Sequence, residues 1–157
     1  MHANVRKVVE AAATLGLDLQ PREFPDGTRT AADAAAAIGV ELGQIVKSLV
    51  FAVDGVPVVA LVSGSNQLDE AKLASAAGGA RSSRLDATAV RDATGFPIGG
   101  IPPFGHATKM RVFVDEDLLA YDVLWAAAGT PHVNFPISPA DLVAATAGTV
   151  ADVAQRD

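Results

Sequence analysis

The segment IVKSLVFAVDGVPVVALV, residues 45–62, decides the fold. Its two apolar runs, residues 45–53 and 56–62, are rich in β-branched side chains and each has the length of a strand. Asp54-Gly55 between them is typical of a two-residue hairpin turn. The segment therefore predicts an antiparallel hairpin whose strands are largely buried.

Lys47 is the charged residue within the first of these strands. Alternate side chains of a strand share a face, so Lys47 projects among large apolar groups. These neighbours are Ile45, Leu49, Phe51 and Val53. An ammonium in such surroundings is costly unless it is paired, reaches water or binds a charged ligand. Two interpretations follow: a lysine near a sheet edge whose head reaches water, or a ligand-binding lysine.

Helix signals surround the hairpin and favour a mixed α/β fold. Good N-cap residues precede four short helical patterns. They are Thr30, Asp69, Asp86 and Ser138. With 157 residues, half of them hydrophobic, the chain can bury one substantial core. We expect a single domain over residues 1–157, built on a largely antiparallel sheet with surrounding helices. The type of the apolar segment at residues 118–127 stays open.

Composition excludes several classes of function. The formal charge of −6 disfavours a surface that holds long nucleic acid, so no DNA partner is expected. Without cysteine there is no thiolate nucleophile, and three histidines make a poor zinc set, so neither metal nor cofactor is expected. No run approaches the roughly 20 apolar residues of a membrane span, and residues 1–7 lack a signal core. We expect a cytoplasmic protein without a membrane partner.

Several cations nevertheless lie near the middle of the sequence. They are Lys72, Arg81, Arg84, Arg91, Lys109 and Arg111. If the fold gathers some of them, a local positive rim can exist on an acidic body, although scattered charges usually form a solvated face.

The second unusual segment is GFPIGGIPPFGH, residues 95–106, with four glycines and three prolines. The prolines of such a loop restrict its backbone, and its glycines have no side chain. The backbone N–H groups can therefore approach a ligand closely. It lacks the ending of a phosphate-binding P-loop and fails the pattern of a dinucleotide site. The alternative is an irregular connection without a functional role.

Together these segments resemble the YbaK/ProX family of aminoacyl-tRNA deacylases, which includes the editing domain inserted into bacterial prolyl-tRNA synthetase. The resemblance is carried by QIVKSLVF at residues 44–51 and by the Gly99-x-x-x-Pro103 motif about fifty residues later. QLDEAKL at residues 67–73 and PADL at residues 139–142 extend it over nearly the whole chain.

The resemblance implies hydrolysis of the ester that joins a mischarged amino acid to the 3′ end of a tRNA. Lys47 matches the family's essential lysine, which holds the tRNA end, and the loop containing Gly100 would position the acyl group and water. These two residues are the predicted catalytic pair. The predicted substrate-binding residues are Phe24, Ser48, Gly99, Pro103, Gly105, His106 and Asn134. Removal of a small acyl group such as Ala, Ser, Cys or Pro would serve translation fidelity, with an aminoacyl-tRNA synthetase as a further partner.

Two other classes of function remain open. The chain could be a module that binds a tRNA end or a synthetase without hydrolysing anything. It could instead be an unrelated protein that holds an anionic metabolite on the Lys47 face. Without an evident serine–histidine–acid set, covalent catalysis is poorly supported.

Overall fold

The computed structural model describes residues 1–156, which form five α-helices, two 3₁₀ helices and eight strands. The helices are α1 Ala3–Thr14, α2 Ala31–Ile38, α3 Glu70–Ala76, α4 Ala87–Thr94 and α5 Pro139–Thr146, with 3₁₀ helices at Leu42–Gln44 and Glu116–Ala120. The strands are β1 Arg22–Glu23, β2 Val46–Val53, β3 Val56–Ser63, β4 Ser82–Arg84, β5 Val112–Asp115, β6 Leu124–Ala127, β7 Val133–Ile137 and β8 Thr149–Ala151.

The strands form two sheets. The larger has the order β4-β2-β3-β5-β8, and the smaller has the order β1-β7-β6. All pairings are antiparallel except β3 with β5 and β5 with β8. The predicted mixed α/β fold with a largely antiparallel sheet is therefore confirmed.

The predicted hairpin forms the centre of the larger sheet. β2 and β3 pair along their whole length, from Val46 with Ser63 to Val53 with Val56. Asp54 and Gly55 both have positive φ, 49° and 82°, as a type I′ turn requires. β3 lies between β2 and β5 and is buried on both faces, which explains its nearly continuous apolar sequence.

The core occupies both faces of the larger sheet. On one face, Val50, Val59 and Leu61 pack with α1 and the smaller sheet. On the other, Val58 and Val62 pack with α3. A separate small cluster of Phe24, Ala34, Ala35, Ile45 and Trp125 joins α2 to the smaller sheet. Ile45 lies outside β2 and bridges to Trp125, so it does not share the Lys47 face as the sequence suggested.

Helix boundaries follow the cap residues. Thr30, Asp69, Asp86 and Ser138 each accept a hydrogen bond from a backbone N–H in the first turn of the helix that follows. The open segment at residues 118–127 divides into the end of a 3₁₀ helix and strand β6. Within residues 1–156, no helix combines the length and apolar content that crossing a bilayer requires.

Candidate active site

The site begins at an open stretch of the β2 edge. β4 pairs only with Phe51, Ala52 and Val53, so residues 46–50 lack a β4 partner. Val53 and Val56 close the two-residue turn as a hydrogen-bonded pair. Because such pairs alternate along an antiparallel ladder, the backbone groups of Ser48 and Val50 point away from β3 and toward the open edge.

A cavity of about 430 Å³ occupies this open edge. Its wall comes from β2, from the segment entering α2, from the glycine–proline loop and from the smaller sheet. The polar lining residues are Thr28, Arg29, Thr30, Lys47, Ser48, Arg84 and Asn134. A volume of this size suits a small ligand or the end of a polymer, and not a folded macromolecule.

The charge of the cavity is opposite to that of the protein. Lys47, Arg29 and Arg84 line it, and none of its lining residues in the described part of the chain is Asp or Glu. The chain as a whole carries a formal charge of −6. A cleft lined by one sign of charge concentrates ligands of the other sign, so this cavity favours an anion.

Lys47 is half-buried, and its Nζ donates a hydrogen bond to the backbone carbonyl of Asn66. Burial lowers the pKa of the Lys47 ammonium below its usual 10.5, and the negative charge of Asp115 partly offsets this effect. A partly dehydrated ammonium gains most from a ligand that brings a full negative charge.

Ser48 and Asn134 add polar groups to opposite walls. The Ser48 Oγ is buried and has no hydrogen-bond partner among the residues described. Asn134 is 4% exposed, and its Nδ2 donates to the Thr28 Oγ, which in turn donates to the carbonyl of Pro131 at 2.7 Å. An unpartnered buried hydroxyl lowers the stability of the fold, because its lost hydrogen bonds with water are not replaced.

The glycine–proline loop contributes Ile98, Gly99 and Ile101 to the wall. Gly100 lies behind them, and a Cβ there would be 2.7 Å from the Thr130 Cα. The Gly100 N–H donates to the carbonyl of Pro97 at 3.1 Å. In this conformation Gly100 fixes the loop against the turn between β6 and β7, and its N–H is already used.

Lys47, Ser48, Gly99 and Asn134, four of the nine predicted site residues, come together around the cavity. The others are outside its lining. Phe24 packs edge to face on Trp125, with ring centroids 6.4 Å apart. Pro103 is buried in the loop, and Gly105, with φ of 76°, packs against α1.

His106 is also outside the cavity lining. Its Nε2 lies 2.6 Å from the carbonyl of Pro102, which can only accept, so the ring donates and ties down the end of the loop. Burial lowers the pKa of His106, although the hydrogen bond to Pro102 acts in the opposite direction. The ring is therefore mainly neutral at neutral pH.

Sequence reasoning missed several residues of the site and its support. The sequence does not single out Thr28, Arg29, Asn66 or Asp115, and it identifies Arg84 only as one cation of the central group. The expectation that the central cations form a positive rim is the signal that could have identified Arg84 as a site residue. Asp115 is the last residue of β5, and nothing in the sequence indicates that its charge acts on Lys47.

Comparisons with known proteins agree on one family. A family model described as the aminoacyl-tRNA editing domain matches residues 25–145. A proline–tRNA ligase of Maridesulfovibrio salexigens is 34% identical over 142 residues, which cover 84% of this chain and 24% of the ligase. The chain thus spans about a quarter of that relative.

Two further relatives match over most of their own length. A protein of Enterococcus faecalis, named as a candidate Cys-tRNA(Pro)/Cys-tRNA(Cys) deacylase, is 28% identical over 129 residues, 82% of this chain and 79% of its own. A solved structure, described as a candidate trans-editing enzyme for prolyl-tRNA synthetase, superposes with a TM-score of 0.94 at 44% identity and covers 99% of both chains.

Because Gly100 lies against the Thr130 backbone, we predict that a side chain at this position displaces the glycine–proline loop. Gly100→Val should lower the free energy of unfolding by about 1–3 kcal/mol, because its Cβ would overlap the Thr130 backbone. It should also move the amide chemical shifts of the loop and of Thr130. The control Ile98→Val changes an exposed side chain of the same loop and should stay within about 0.5 kcal/mol. Unchanged stability and an unchanged Thr130 signal would contradict this packing.

The unpartnered Ser48 hydroxyl gives a second prediction. Ser48→Ala should leave the free energy of unfolding unchanged or raise it by up to about 1 kcal/mol, since it removes a buried polar atom without a partner. The matched control is Ser63→Ala, which breaks a buried 2.7 Å bond to the carbonyl of Gly43 and should cost about 1–3 kcal/mol. Equal losses in chemical denaturation would mean that the Ser48 hydroxyl is bonded within the fold and not available to a ligand.

Proposed function

The chain belongs to the aminoacyl-tRNA editing domain family, and from this premise we propose that it is a trans-editing deacylase. It hydrolyses the ester between a small, mischarged amino acid and the 3′-terminal ribose of a tRNA. The predicted family, the YbaK/ProX type, is confirmed by the family match and by the close structural relative. The observation that carries the proposal is the cationic cavity, which has no acidic side chain among its described lining residues.

The size and charge of the cavity suit the end of a tRNA. About 430 Å³ holds a terminal nucleotide unit with its acyl group but none of the stacked acceptor stem. Lys47 holds the phosphate and ribose of that end as a point charge, while Arg29 and Arg84 attract the anionic strand at the rim. The acidic remainder of the protein disfavours long contacts with the tRNA body.

The reaction is attack of water on the ester carbonyl carbon. The bond between that carbon and the ribose oxygen breaks, and the ribose oxygen takes one proton of the water. The amino acid leaves as its carboxylate, and the second proton passes to solvent. The described lining residues include no His, Cys, Asp or Glu that could act as a general base. This agrees with a mechanism in which the neighbouring ribose hydroxyl of the substrate helps to orient and activate the water.

The loop of residues 99–103 positions the acyl group. Gly99 allows close approach because it has no side chain and has φ of 93°. A backbone N–H directed at the developing oxyanion typically contributes about 3 kcal/mol in hydrolases. For Gly100 to serve in this way, its N–H must exchange the carbonyl of Pro97 for the substrate oxygen.

The acyl group removed is small, with Ala, Ser, Cys and Pro as the candidates. Asn134 provides a side-chain amide that can bind the amino group or a short polar side chain, and the backbone groups of Ser48 lie at the same edge of the cavity. The names of the relatives point to tRNA for proline, and prolyl-tRNA synthetase is the partner to test first. Because aminoacyl-tRNA is the proposed substrate, the cytoplasm is the proposed location.

The test is hydrolysis of a panel of labelled aminoacyl-tRNAs by wild type, Lys47→Ala and Lys109→Ala. The panel contains alanyl-, seryl-, cysteinyl- and prolyl-tRNA, each on tRNA for proline. Lys47→Ala should lose at least about a hundredfold in kcat/KM because the charge that holds the tRNA end is gone. Lys109→Ala, which removes an exposed lysine, should remain close to wild type.

Two results would contradict the proposal. Release of amino acid that does not depend on Lys47 would place the reaction elsewhere on the protein. Binding of tRNA without release from any member of the panel would favour the non-catalytic module.

A further inference from the structure

Asp115 is a charged residue with no exposed surface, at the end of β5. Its Oδ2 accepts hydrogen bonds from the Ser63 N–H at 3.0 Å and from the Asn66 Nδ2 at 2.9 Å, and its Oδ1 accepts one from the Asp117 N–H at 3.0 Å. A buried carboxylate needs several such donors, and these three supply them. None of the functions proposed above uses this residue.

The same residues lead directly to Lys47. Ser63 ends β3 opposite Val46, and Asn66 follows in the loop of residues 63–66. The carboxylate of Asp115 holds both ends of this loop, and the backbone carbonyl of Asn66 receives the Lys47 ammonium. The negative charge of Asp115 also acts on that ammonium through space.

We propose that Asp115 is the positioning residue for Lys47. It fixes the Ser63–Asn66 loop whose carbonyl holds the ammonium, and it is the buried counter-charge for that ammonium. In the absence of substrate, Lys47 stays bonded to the Asn66 carbonyl; when a phosphate arrives, the ammonium is already ordered and charged at the edge of the cavity. The significance of this arrangement for catalysis rests on the proposed function.

The other charged residues near Lys47 either disfavour or support its ammonium form. Arg29 and Arg84 line the same cavity, and their two positive charges disfavour the charged form of Lys47. Asp117 faces Asn66 and accepts a 2.7 Å hydrogen bond from its Nδ2. Asp117 is also paired with Arg156 at 3.2 Å, so its charge is partly compensated. Asp115 is therefore the principal negative charge that supports the Lys47 ammonium.

The test uses the four lysines of the chain, Lys7, Lys47, Lys72 and Lys109, whose side-chain signals can be followed by NMR in lysine-labelled protein. The Lys47 signal is assigned by its loss in Lys47→Met, and its titration is compared in wild type, Asp115→Asn and Asp152→Asn. Asp152 is a partly exposed carboxylate paired with Lys72 at 2.9 Å and with Arg156 at 3.2 Å, so its replacement removes the same charge but leaves the hydrogen bonds of Asn66 to Asp115 and Asp117 in place. Lys47 should lose its proton at lower pH in Asp115→Asn than in the other two proteins.

The pH dependence of deacylation should differ among the three proteins in the same way as the Lys47 titration. Because the ammonium is the active form, the deacylation rate of Asp115→Asn should decline at lower pH than that of wild type as pH rises. Its kcat/KM should be at least about tenfold lower at neutral pH, through loss of a buried hydrogen-bonded charge. Asp152→Asn should retain the wild-type pH profile.

A second variant covers the case in which Asp115→Asn does not fold. Asn66→Ala keeps the backbone carbonyl but removes the side-chain bonds to Asp115 and Asp117, so the Lys47 signal should shift and kcat/KM should fall. A Lys47 titration that is the same in wild type and in the folded variants would overturn the proposal. A shifted titration in a protein that deacylates nothing would support the role of Asp115 and refute the proposed function instead.

Discussion

The arrangement of the site depends on one constraint, the partial burial of the Lys47 ammonium at an uncovered sheet edge. Lys47 belongs to the hairpin that forms the centre of the larger sheet, so the fold fixes the backbone of the site. The short β4 leaves residues 46–50 uncovered, and the cavity forms at that gap. A longer β4 would pair this edge and fill the cavity, so the shortness of this polar strand leaves the cavity open.

The charged side chains near Lys47 form two groups, one that lines the cavity and one that does not. The cavity side has Lys47, Arg29 and Arg84, whereas the supporting carboxylates of Asp115 and Asp117 lie behind Asn66. An anionic ligand therefore meets positive charge without facing the acids that balance it. This separation allows a protein with a net charge of −6 to bind the end of a polyanion. The same acids bind the side chain of Asn66, whose backbone carbonyl accepts the Lys47 ammonium when no ligand is present.

Much of the fold was predictable because its signals are local. The hairpin follows from a two-residue turn between apolar runs, and the helices begin at side chains that cap them. β4 and β8 were missed because three-residue strands have no periodicity, and their pairing depends on which edge the tertiary fold leaves open. Ile45 lies at the end of a uniform apolar run, and only packing against Trp125 shows that it leaves the strand.

The candidate site was predictable in part for a similar reason. Four predicted residues line the cavity. Lys47, Ser48 and Gly99 were predicted from short motifs, and Asn134 was predicted from the family resemblance. A motif does not specify which of its residues face a cavity. Gly100 and His106 were expected to contact the ligand, but Gly100 packs against Thr130 and His106 bonds to Pro102. Asp115 supports Lys47 from 68 positions away in the sequence, and pairing of β3 with β5 is required to bring them together.

The central claim is that the cavity beside Lys47 binds an acylated tRNA end. The most direct measurement is amide chemical-shift mapping with 3′-alanylamino-3′-deoxyadenosine 5′-phosphate, in which a stable amide replaces the ester. We predict saturable shifts at Ser48, Gly99 and Asn134 that disappear in Lys47→Ala. Shifts confined to another surface, such as the groove beside Asp18 and Asp141, or shifts that persist in Lys47→Ala, would contradict the account.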